Sequence, residues 1–178
     1  MLQFTSREWW TAIHGMALGF GFILLFTAAL ALVLTLESKL LTADGLKRNV
    51  LLLKISGTAI AVLSWLAVWI GSYIVYPWYR AAPPSGTTDL SMFPRSRLLA
   101  NPPVSGWHNF GMEWKEHLGW LVPIIATAAL FIIWRYGEKL AEEKGIRWTL
   151  FVILCVAFVL AGIVGVLGAI ITKEAAVV

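Results

Sequence analysis

Four long apolar runs that contain no Asp, Glu, Lys or Arg constrain the fold of this chain more than any other feature. The runs cover residues 9–36, 55–79, 118–134 and 148–172. A helix needs about 20 apolar residues to cross the hydrocarbon core of a bilayer, and three of the runs exceed that length. The third run is shorter, but Trp114, Trp120 and Trp134 around it are suited to anchoring a helix at the membrane interface.

These runs predict an all-α fold, a four-transmembrane-helix bundle that forms a single membrane domain over residues 1–178. We expect spans at about 9–36, 55–79, 116–135 and 148–172, and one long loop over residues 80–115. A composition of 59% hydrophobic and 13% charged residues is typical of membrane proteins. The net charge of +4 comes from basic residues beside the runs and not from a dense patch, so we expect the lipid bilayer as a partner and no nucleic acid.

The distribution of basic residues predicts the topology. Four spans place both termini on one membrane face, called end A, and the two hairpin loops on the opposite face, called end B. End B carries eight of the 14 Lys and Arg residues, and end A carries six over a greater length. Short basic loops stay in the cytoplasm, so end A is predicted to be external. We therefore expect an integral protein of a bacterial inner membrane with both termini periplasmic.

The external loop is rich in proline and resists regular helix formation. Its aromatic residues favour an ordered segment, and residues 106–116 could form a short helix that leads into the third span. Two interpretations of this loop remain equal. It is either a docking surface for an extrinsic partner or a cap that shields the end of the bundle.

Two histidines at similar depth near end A are the strongest candidates for a functional site. His14 lies about five residues inside the first run, and His117 lies at the start of the third. An ionisable residue inside a membrane is costly and indicates function by default. One imidazole from each of two helices is the ligand set that haem b needs, so His14 and His117 are predicted to ligate the iron. His108 is a competing ligand, and hydrogen bonding between helices is the plainer alternative for all three.

Neighbouring residues could complete a haem site. Gly15 and Gly19 would leave a helix face open for the macrocycle, although small residues also serve ordinary helix packing. Cations near the membrane surface could pair with the haem propionates or only extend towards water. These cations are Arg80, Arg95, Arg97 and Lys115. Glu113 shares a helical face with His117 and could help to bind a non-haem metal or accept a proton from a quinol.

The segments "WWTAIHGMALGFG" around His14 and "WHNFGMEWKEHLGW" around His108 and His117 resemble small four-helix membrane b-type cytochromes. That group includes the haem-bearing membrane subunits of quinone-linked oxidoreductases. The resemblance is architectural, covers the first three spans and is not a strong sequence signature. It implies that His14 and His117 are the axial ligands of one haem b.

The sequence therefore favours a membrane-embedded electron-transfer subunit with one haem b. It would pass electrons between membrane quinone and an extrinsic redox partner at the external face, within a complex of other membrane subunits. Such a chain is a subunit of an oxidoreductase complex more than an enzyme by itself. The alternative is a cofactor-free structural subunit that anchors a larger membrane complex, with the histidines and glycines serving in packing.

Overall fold

The computed structural model describes residues 4–37 and 39–176, and this part of the chain is helical without strands. Four helical segments in it are long and apolar enough to cross a membrane. They are the first span (Ser6–Thr35), the second (Ala43–Arg80), the third (Pro102–Ala141) and the fourth (Lys144–Glu174). The prediction of an all-α bundle with four membrane-spanning helices is confirmed.

The helices extend beyond the apolar runs that predict them. The second span begins at Ala43, where the side chain of Thr42 accepts a hydrogen bond from the Gly45 amide at 3.1 Å. Residues 43–54 therefore continue the helix beyond the apolar run, although they include Asp44, Lys47, Arg48 and Lys54, because charge does not prevent helix formation. The third span begins at Pro102, inside the predicted loop.

The bundle has a simple order of contacts. The first span packs against the second and fourth, and the third span packs against the same two, so the first and third lie on a diagonal. Alanines occupy many of the buried contact positions, which lets the backbones approach closely. The buried alanines of this core are Ala29, Ala61, Ala67, Ala126, Ala129, Ala141, Ala157 and Ala161.

Three π-helical segments interrupt the spans at end A. They are Ile13–Leu18 in the first span, Gly71–Val75 in the second and Trp107–Met112 in the third. The widened turn is rare in proteins and occurs mostly as single bulges, often at functional sites. Three of them at one end of a small bundle make end A the first place to look for a functional site.

The loop at end A is folded against the bundle end. A short helix, Pro94–Leu99, and a 3₁₀ turn, Pro102–Val104, lie within residues 80–115. A second buried cluster joins the loop to the spans through Tyr79, Leu98, Met112, Ile171 and Ala175. The backbone amide of Ser91 donates to Asp89 Oδ1 at 2.9 Å, which holds the pKa of that carboxyl below its usual range. The irregular loop expected from its prolines is thus ordered by packing.

At end B, one buried arginine ties the two hairpin loops together. Arg147 is 8% exposed, and its Nη1 donates to the carbonyl oxygens of Leu140 at 3.1 Å and Ala141 at 2.8 Å. Its Nη2 lies 3.1 Å from Oε1 of Glu37, which follows the first span. The guanidinium therefore closes the turn between the third and fourth spans and holds the end of the first.

We expect Arg147→Met to lower the stability of the bundle by about 2–3 kcal/mol, because two buried carbonyls would lose a charged donor. Glu37→Gln should cost less than about 1 kcal/mol, since the Glu37 side chain is 47% exposed and water can replace the ion pair. Thermal unfolding of the detergent-solubilised protein followed by circular dichroism measures both. Equal losses in the two variants would show that the ion pair, and not the carbonyl contacts, carries the stability.

Candidate functional site at end A

The first component of the site is the imidazole of His14, which lies in the first π-helical segment. Its ring is turned towards the second span, where it also interacts with the backbone carbonyl of Ala67. A Cβ atom placed on Gly71 would lie 2.6 Å from Cε1 of His14 and 3.2 Å from both ring nitrogens. The nitrogen-bearing edge of the ring therefore abuts the backbone at Gly71, and only glycine permits this approach. Nδ1 of His14 is buried without a hydrogen-bond partner.

Lys115 forms the second component. Its aliphatic chain lies on the fourth span, where a Cβ atom on Gly168 would be 3.0 Å from Cε of the lysine. Its charge acts on His14 and is itself influenced by Glu116. Among the described residues Lys115 has no hydrogen bond or ion pair within bonding distance. Lys115 thus places a cation against the fourth span at the end of the bundle that also holds His14.

Glu116 is the third component. Its Oε1 is buried and has no hydrogen-bond partner. Its carboxylate faces the hydroxyl of Tyr76, and that hydroxyl accepts a hydrogen bond of 2.6 Å from Nη1 of the exposed Arg80. A buried polar atom without a partner is uncommon and costly in a native fold. The carboxylate therefore has one bonding position open inside the site and a polar connection from Tyr76 to the surface.

A second polar network lies beside the first and uses both nitrogens of His108, which is 6% exposed. Nε of Arg95 donates to Nε2 at 3.2 Å, so Nε2 carries no proton. The neutral ring then carries its proton on Nδ1, which donates to the Tyr79 hydroxyl at 2.8 Å. Because both ring nitrogens are engaged, His108 joins the loop over residues 80–115 to the second and third spans in this arrangement.

His117 lies apart from these networks. It is exposed, and its Nδ1 donates to the carbonyl oxygen of Glu113, one turn earlier, at 2.6 Å. Its Nε2 is left free to accept a bond. Ala126 is buried in the bundle, and a separation of nine residues places it half a turn out of phase with His117. His117 therefore faces away from the core, whereas His14 faces into it.

The other predicted site residues divide in the same way. Lys115 and Arg95 join the networks described above, and Arg80 reaches the first of them through Tyr76. Gly15 and Gly19 have open space or only backbone around them, as an open helix face requires. Arg97 is exposed and influences Asp89 in the loop. Within residues 4–37 and 39–176, no group of three His, Cys, Asp or Glu side chains is placed to hold a metal ion.

The residues present do not fit a haem held between His14 and His117 in this arrangement. The nitrogen edge of His14 is in contact with the second span at Gly71, which leaves no space there for a macrocycle. His117 presents Nε2 to the outside of the bundle. Each imidazole has a ring nitrogen without a hydrogen-bond partner among the described residues, but the two nitrogens do not face each other across a cavity that could hold a haem.

Sequence reasoning overlooked Tyr76 and Tyr79 at the centre of the polar networks, and it did not predict that Oε1 of Glu116 is buried there. One signal could have found the tyrosines: they are three residues apart at the end of an apolar run and so share a helical face. From the sequence, Glu116 belongs with His108, Glu113 and His117 in a candidate non-haem metal site, or is a solvated residue at a helix start. Its burial depends on the π-helical segment before it, which apolar periodicity does not reveal.

The contact between His14 and Gly71 gives a direct test of the site. We expect Gly71→Ala to destabilise the bundle by about 1–3 kcal/mol, because the added methyl group would overlap the His14 ring. Gly15→Ala is the matched control, since a Cβ there meets nothing within 4 Å, and it should change stability by no more than about 1 kcal/mol. In the double variant His14→Ala/Gly71→Ala the two effects should not add. Additive losses in thermal unfolding would contradict the contact.

Comparison with protein-family models, with curated proteins and with solved structures found no match to this chain. Its functional assignment therefore rests on the chemistry of end A.

Proposed function

We propose that this chain is the membrane-embedded subunit of an electron-transfer complex, and that end A takes part in the oxidation of a membrane quinol by an extrinsic redox partner. One observation carries the proposal: two polar atoms near end A, Nδ1 of His14 and Oε1 of Glu116, are buried without hydrogen-bond partners, and Lys115 adjoins Glu116 in the chain. Such atoms indicate a ligand that can both donate and accept hydrogen bonds.

A quinol head group has the required chemistry. Its two oxygens are polar, its ring is flat and apolar, and its tail is soluble in the bilayer. One hydroxyl would donate to Oε1 of Glu116, and Lys115 would donate to an oxygen of the head group. The carboxylate would then act as a base for the first proton. The exposed Arg80, which donates to the Tyr76 hydroxyl facing Glu116, marks where the site reaches the surface, and both quinol protons are released to water there.

The electrons leave in two single steps. A quinol that becomes a quinone loses two protons and two electrons, and an oxidised extrinsic haem or iron–sulfur protein at the external face would accept the electrons one at a time. The ordered loop over residues 80–115 is the surface proposed for that partner, since it covers the polar networks. The excess of basic residues at end B supports end A as the external end, with the chain in a bacterial inner membrane.

A haem b within this chain remains a proposal from the sequence alone. When bound, such a haem would supply one-electron transfer. The sequence makes His14 and His117 its candidate ligands, and His14 would have to move away from Gly71 to bind it. The packing of His14 against Gly71 instead favours the second candidate function, a cofactor-free subunit that anchors a larger complex. In that case the imidazole serves to fit two helices together.

A measurement of quinone binding distinguishes a quinol-oxidising subunit from a cofactor-free anchoring subunit. We expect the purified chain to bind a short-chain ubiquinone or menaquinone analogue, measured by quenching of tryptophan fluorescence. Glu116→Gln should weaken binding of the reduced analogue about tenfold, because a charge-assisted hydrogen bond of roughly 1.4 kcal/mol would be lost. Glu113→Gln is the control, since this carboxylate is exposed on the same helix three residues earlier. Absence of saturable binding, or equal effects in the two variants, would contradict the proposal.

A reduced-minus-oxidised optical spectrum of the protein purified from its native membranes tests the haem. From the geometry we expect no low-spin signal that depends jointly on His14 and His117. A sharp b-type band that disappears in both His14→Ala and His117→Ala would establish paired ligation. It would also require the third span to rotate from the arrangement described above. Retention of the band in Leu24→Ala, an exposed position of the same span, is the control for general damage to the first span.

A further inference from the structure

An apolar groove of about 490 Å³ runs along the outside of the bundle near end B. The second span supplies most of its lining, including Leu51, Ile55, Ala59 and Val62, and Trp134 of the third span supplies one wall. From position 54 to position 63 the groove extends about 13 Å, at a rise of 1.5 Å per residue. That is long enough for a large part of one lipid acyl chain.

The ammonium group of Lys54 lies at one end of this groove. Nζ of Lys54 lies 4.8 Å from the centroid of the Trp134 ring. A Cβ atom on Gly137 would be 3.9 Å from the same Nζ. Trp134 is itself fixed by a hydrogen bond of 3.3 Å from Nε1 to Oγ1 of Thr58. Among the residues that the structure describes, no carboxylate pairs with Lys54, since the ion pair found there joins Arg147 and Glu37.

We infer that this groove is a binding site for one anionic phospholipid. The acyl chain lies along the second span, and the lipid phosphate pairs with the ammonium group of Lys54. The indole of Trp134 lies at the level where phospholipid head groups meet hydrocarbon, as tryptophans of membrane interfaces do. Charge complementarity selects an anionic head group, because no carboxylate among the described residues pairs with the cation. This site is separate from end A and does not depend on the function proposed for it.

The test is native mass spectrometry of the full chain after exchange into detergent. Phosphatidylglycerol and phosphatidylcholine with the same acyl chains are titrated separately. We expect one tightly retained phosphatidylglycerol per chain, bound about fivefold to tenfold more tightly than phosphatidylcholine. Lys54→Met should remove this preference. Lys47→Met is the matched control, because Lys47 is an exposed residue of the same span that does not line the groove.

A second variant tests the apolar part of the site. Ala59→Leu partly fills the groove and should weaken retention of both lipids while leaving the preference between them. Equal retention of the two lipids by the unaltered chain would overturn the inference. So would an equal loss of preference in Lys54→Met and Lys47→Met, which would mean that the general positive charge of end B attracts the lipid.

Discussion

Hydrocarbon offers no hydrogen bonds to a polypeptide, and most of the structure depends on this constraint. Backbone groups in the bilayer must pair within each helix, so the four apolar runs have one available conformation. Polar side chains are correspondingly collected at the two ends. At end B they fasten loops, as Arg147 does with the carbonyls of Leu140 and Ala141. At end A they leave bonding positions open, as His14 and Glu116 do. The difference between the ends is therefore a difference in how completely polar groups are paired.

The π-helical segments are the local means by which end A departs from regular packing. Each widened turn rotates the residues that follow it relative to those that precede it. In the first span this places His14 against the backbone at Gly71, and in the third it precedes Lys115 and Glu116. A regular helix through the same positions would place these side chains on other faces. The positions of the polar side chains at end A thus depend on the π-helical segments.

The sequence was sufficient to predict the bundle because hydrophobicity alone decides which segments can lie in a membrane. It was also sufficient to place His14, His108 and His117 near one end of the bundle, since span order and depth follow from the same pattern. It could not predict which histidine faces inward. The orientation of His117 is set by its phase relative to Ala126, and the pairing of His108 is set by Arg95 and Tyr79 from distant segments. Whether His14 and His117 ligate one haem therefore stays a prediction.

The guanidinium of Arg147 has a mechanical consequence. It joins the turn after the third span to the residue that follows the first, and so crosses the bundle at end B. The spans are therefore joined across the bundle at end B by a side chain that has no described counterpart linking the first and third spans at end A. If the spans separated to admit a ligand at end A, they would tilt apart there while remaining joined at end B. Loss of the Arg147 contacts would then alter access to a site at the opposite face of the membrane, although no residue that lines that site is changed.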